Sequence, residues 1–171
     1  MQRGIKGLLS VRLVRWSDGV EVWRDSESFS VPCLESKEVW SKSIDSELLC
    51  DGRKREEHVM LFEAEVPELE HGRLSNYHLL APLKASTLPH TKLECEASGD
   101  GSSVIVSVRS SQVAAFVWLQ SGDIVGRFSD NGFGVVLPNE PRQVEFIPFE
   151  PFSLAHFRTV LSATSLRDTY E

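Results

Sequence analysis

Residues 92–109, KLECEASGDGSSVIVSVR, decide the fold class. Lys92–Ala97 and Ser103–Arg109 read as two strands, the second with Val104, Val106 and Val108 facing one way at the two-residue period of a pleated strand. Ser98-Gly99-Asp100-Gly101 between them is a turn, so the pair is a hairpin. Ala115–Gln120 is apolar on both faces, the pattern of a central sandwich strand covered on either side, and Gly132–Leu137 and Arg142–Phe149 add two more strands. Ser153 caps one helical turn through Phe157, and Val160–Leu166 reads as a closing strand.

The same period runs through the first half. Leu9, Val11 and Leu13 alternate with Ser10 and Arg12, and Ser17-Asp18-Gly19 turns the chain into Val20–Trp23. Val39–Ser43 reads as a further strand, followed by one helical turn at Ile44–Leu49 capped by Ser43 or Asp45. His58–Val66 places Met60, Phe62, Ala64 and Val66 on one face and Glu63 and Glu65 on the other, and Pro67 ends it. Tyr77–Leu80 is strand-like within a stretch rich in breakers, and the domain boundary falls near Pro82–Ser86. The class is therefore all-β: a near-complete immunoglobulin-like sandwich preceded by a partial one.

At 171 residues the chain holds one ordinary domain or two small ones, too few for a catalytic barrel of about 250 residues. Its 25 acidic and 18 basic residues give a formal charge of -7, which opposes a polyanionic nucleic acid. The longest apolar run, Val113–Leu119, is far short of the roughly 20 residues of a membrane span, and the N-terminus lacks a secretory apolar core. Cys33, Cys50 and Cys95 contain no CxxC pair, so the reading is free thiols, with a Cys33–Cys50 bridge as the competitor.

Chemistry is harder to find. The five histidines lie in no nucleophile motif, and the Gly99–Gly101 turn has no P-loop lysine. The Asp51, Glu56, Glu57, His58 group reads as a solvated loop rather than a metal site, so neither a metal nor a cofactor is expected. No local motif selects a carboxylate pair for glycoside hydrolysis. Of four tryptophans, Trp16, Trp23 and Trp40 are candidates for a platform on which sugar rings stack, against core packing as the ordinary role. Trp118, in the most apolar strand, is the least expected platform.

Several spaced segments share one resemblance: Phe116-Val117-Trp118-Leu119, then Gly126-Arg127-Phe128-Ser129-Asp130-Asn131-Gly132-Phe133, then Phe146-Ile147-Pro148-Phe149-Glu150-Pro151, then Thr164–Tyr170. With Ser75–Leu80 and Leu9–Arg12 upstream, the chain resembles the C-terminal end of animal-type beta-mannosidases, glycoside hydrolases of family two. The resemblance implies that residues 84–171 are a final Ig-fold domain and residues 1–83 part of an Ig-like or carbohydrate-module-like domain. It also implies removal of terminal β-linked mannose by the parent enzyme and a lysosomal location. The family's N-terminal sandwich, its catalytic barrel and both catalytic glutamates lie outside these residues, so no catalytic residue carries over. The expected partners are those other domains and a mannose-containing oligosaccharide. Asp130-Asn131-Gly132 is a tight-turn sequence, and Arg127, Ser129, Asp130 and Asn131 are candidates for packing against the catalytic body.

Overall fold

The computed structural model describes residues 4–69, 73–99 and 103–170. They form eleven strands in three antiparallel sheets and one short α-helix. The chain divides into two compact units, one of residues 1–16 and 20–87, the other of residues 17–19 and 88–171.

The first unit is one sheet in the order β2-β1-β3-β4. β1 spans Ile5–Arg15, β2 Glu21–Val31, β3 His58–Glu65 and β4 Arg73–Leu79. The alternation of Leu9, Val11 and Leu13 sets the register, because each must meet an apolar partner on the same face. Leu13 lies opposite Met60 and Trp23, and Val11 opposite Phe62. Val11, Leu13, Leu48, Met60 and Leu80 form the buried centre of this face. Val14, Val59 and Leu61 on the opposite face are buried too, so the face expected to carry Glu63 and Glu65 is polar only toward the end of β3. There Arg12, 7% exposed, meets Glu63 at 3.3 Å.

Two expectations need correction here. Val39–Ser43 is not a strand; it has no ladder partner, and Trp40 instead lies against the sheet with ring centroids 6.2 Å from Trp23 and 6.0 Å from Phe62. The following turn is a wide one at Ile44–Leu48, in which Leu49 N–H donates to the Ile44 carbonyl five residues back. Ser43 does not cap it with its hydroxyl; its N–H donates to the Glu47 carboxylate at 2.8 Å, which holds that carboxyl below its ordinary range.

The second unit is a two-sheet sandwich. One sheet runs β5 (Leu93–Gly99), β6 (Val104–Ser110), β10 (Arg142–Pro148), β8 (Gly126–Phe128), and the other β11 (Ser162–Thr164), β7 (Ala114–Gln120), β9 (Gly132–Val136). Val104, Val106, Val108, Val144 and Phe146 from the first sheet meet Val117, Leu119, Phe133 and Val136 from the second. Of the turn expected between β5 and β6, Asp100 and Gly101 lie outside the described residues.

Helix α1 (Leu154–Val160) closes one end of this core with Phe157. Its first turn is fastened by Ser153 Oγ, which accepts from the His156 N–H at 3.3 Å. The closing strand is shorter than expected, because Val160 is the last residue of α1 and Ser165 begins a new turn at Leu166–Thr169. Asp168 fixes that turn by accepting both the Ser165 N–H and the Ser165 hydroxyl, at 2.7 and 2.8 Å.

Candidate functional site

Among the described residues, the second unit carries an open cleft of about 600 Å³. β7 makes one wall with Leu119 and Gln120, β8 the other with Arg127 and Phe128, and Asn131 and Ser162 complete the rim. It opens where β9 begins late: Gly132 already pairs with Trp118, and beyond it the Asn131 carbonyl reaches β7, accepting the Leu119 N–H at 3.0 Å.

The segment Arg127–Asn131 splits into two kinds of residue. Ser129 extends the β8–β10 ladder, its N–H donating to the Glu145 carbonyl at 2.7 Å and its hydroxyl accepting the Glu145 N–H at 3.0 Å. Asp130 folds the turn, accepting the Gly132 N–H at 3.2 Å and pairing with Arg142 at 3.5 Å. Among the described residues, the side chains of Gln120, Arg127 and Asn131 have no such partner, and all three are exposed at the cleft.

The loop between β7 and β8 is held from α1. Gly122 adopts φ +62°, and a Cβ there would come within 2.6 Å of Val160 Cβ. One residue on, Asp123 accepts from His156 Nε2 at 3.0 Å, which lowers its carboxyl pKa from the ordinary value. Cys95 packs against the core, and burial raises its thiol pKa.

Among the tryptophans, Trp16 takes the ordinary core-packing role and Trp118 departs from expectation. Trp16 is 0% exposed and offers no ring face to a ligand. Trp23 and Trp40 are half-buried and lie against each other. Trp40 Nε1–H donates to the Asp25 carboxylate at 3.1 Å, lowering the pKa of that carboxyl and fixing the indole. Trp118, the least expected platform, is 51% exposed. The alternation along β7 sends Val117 and Leu119 into the core and leaves Trp118 and Gln120 on the outer face. The six-membered ring of Trp118 lies over Gly132, where a Cβ would meet Cε3 at 3.3 Å.

Among the described residues no His, Cys, Asp and Glu side chains cluster as a metal site would require, and no helix is long and apolar enough to cross a membrane. None of Cys33, Cys50 and Cys95 is in a disulfide, so no Cys33–Cys50 bridge forms.

Residues 1–85 match the family described as the mannosidase Ig/CBM-like domain, and residues 88–169 match the Ig-fold domain of mannosidases. Beta-mannosidase of Bos taurus is 35% identical over 170 residues, a match covering 95% of this chain and 18% of the relative. These residues belong to the Ig-like region of the beta-mannosidase family. The beta-mannosidase of Mus musculus is 36% identical over 166 residues with the same coverage. A crystal structure of a beta-D-mannosidase from Dictyoglomus thermophilum superimposes with a TM-score of 0.71 at 14% identity, covering 96% of this chain and 19% of that one. The chain thus spans under a fifth of the length of these relatives, and the likeness to the solved structure is one of fold.

Proposed function

We propose that this Ig-like region is a non-catalytic accessory part of a beta-mannosidase, an enzyme that hydrolyses terminal non-reducing β-D-mannose residues during glycan breakdown. Its task is to support a catalytic domain that the relatives carry elsewhere, and its place of work is the lysosome. The observation that supports this most is the coverage: similarity runs through nearly all of the chain yet occupies 18% of the bovine relative, and both matched families are Ig-like.

The cleft agrees with a supporting role. Retaining glycoside hydrolysis needs two carboxyl groups about 5–5.5 Å apart at the floor of the sugar site. The lining of this cleft contains a guanidinium, amides and hydroxyls but no carboxylate. The test is direct: the purified 171-residue chain is incubated with an aryl β-mannoside, and release of the aryl group is followed. The expected result is no release above the buffer blank. Release proportional to protein concentration, retained through a second purification step, overturns the proposal.

A further inference from the structure

We infer that the Trp118 edge of the second unit is a subsite for a neutral pyranose oligosaccharide, with one ring stacked on the indole and the next reaching the cleft beside it. The site combines two things that polyol recognition needs. The first is a flat apolar face: Trp118 is half exposed and its ring rests on Gly132, while its neighbour across the β7–β11 ladder is the small Thr164. Gly132 holds the ring low against the sheet, because a larger residue there would have to push it away. The axial C–H faces of a pyranose are apolar and meet such a ring edge-on or flat, as aromatic groups meet one another.

The second requirement is a set of planar donors and acceptors around that face to bind hydroxyls. Gln120 stands two residues along β7 on the same side, about 7 Å from Trp118. Asn131 directly precedes the glycine under the indole, and Arg127 is among the residues that line the cleft. Their side chains have no partner among the described residues, and Ser162, opposite Gln120 on β11, adds a hydroxyl. Sites for small ligands pair an apolar wall with a few convergent polar groups in this way. The lining carries one cation and no carboxylate, and the chain's net charge of -7 argues against a nucleobase on a polyanionic backbone. Choosing mannose as the sugar rests on the proposed family role; the stacking geometry does not.

The probe is β-1,4-mannotriose, with cellotriose for comparison, titrated into the whole 171-residue chain while the tryptophan indole N–H resonances are followed by NMR. The Trp118 signal is assigned by its loss in Trp118→Phe. Expected is a saturable shift of that signal with a dissociation constant on the order of 0.1–1 mM. Trp118→Ala weakens binding at least about tenfold, read from the remaining amide shifts around the cleft, and Gln120→Ala weakens it severalfold. Both side chains are exposed, so the spectrum away from the cleft stays unchanged. Absence of saturation with either sugar overturns the subsite, as does a response confined to Trp23 and Trp40. Binding of cellotriose but not mannotriose keeps the platform and removes the choice of mannose. None of these results bears on turnover, so a failed subsite and a failed accessory role are separable.

Discussion

Phe157→Ala is expected to cost about 3–5 kcal/mol, the range for removing a fully buried aromatic ring from a packed core. Phe157 is 0% exposed. Its ring stacks on Phe146 at 4.7 Å and 25° between planes, and meets Phe152 edge-on at 5.6 Å; Phe146 in turn lies 4.8 Å from Phe128. These four rings form one column from α1 to β8, a strand of three residues seated on β10 by Phe128, Arg127 and Gly126. A domain of this size has a total stability of about 4–12 kcal/mol, so the loss is a large share of it. At a urea dependence of about 1.5 kcal/mol per molar, the midpoint falls by about 2–3 M. The assay is urea unfolding read at the indole resonance of Trp118, the single tryptophan of residues 88–171, with Trp16, Trp23 and Trp40 reporting the first unit. Phe157→Leu keeps most of the volume and should cost about 1–2 kcal/mol. A shift below about 0.5 M at Trp118 for the alanine variant would refute the claim that the ring column carries this core.

Two further outcomes are expected. Glu63→Gln leaves the buried Arg12 guanidinium without its full counter-charge, and unfolding should show a loss of about 1–3 kcal/mol, with Arg73→Gln, on the exposed side of the same carboxylate, changing stability by under about 1 kcal/mol. Asp123 has a folded pKa below its unfolded value because His156 bonds it, so its contribution is complete above the unfolded carboxylate pKa and is lost as pH falls through the folded one. A pH titration of stability should therefore show a loss at acidic pH, shared with Glu94, that Asp123→Asn diminishes; an unchanged profile would remove the His156 latch.

Strands with one face in a core were legible, because Val104, Val106 and Val108 or Leu9, Val11 and Leu13 leave a period that needs no knowledge of the partner. β8 was not, since Gly126-Arg127-Phe128 is too short to show a period and exists through its ladder to β10 and the Phe128–Phe146 contact. Val39–Ser43 has strand-forming residues, yet Trp40 packs into the aromatic cluster and bonds Asp25, contacts that local sequence does not reveal. The site was half legible. The Arg127–Asn131 segment stands out in the sequence, but nothing local separates Ser129 and Asp130, which bond within the domain, from Arg127 and Asn131, which line the cleft. The exposure of Trp118 is not legible, because hydrophobicity along β7 says that one face is buried and leaves the fate of the other to the layers around it.

The outer position of β2 bears on how concentrated solutions of this chain behave. An edge strand of eleven residues is long enough to recruit a second copy through its open backbone groups. Its middle reads Arg24-Asp25-Ser26-Glu27-Ser28, polar at every position, so a neighbouring copy would have to desolvate charges along the seam before a ladder could form. With seven net negative charges repelling copies at longer range, the chain is guarded against edge-to-edge fibril growth. Neutralising Asp25 and Glu27 together would weaken that guard while leaving the β1–β2 register untouched.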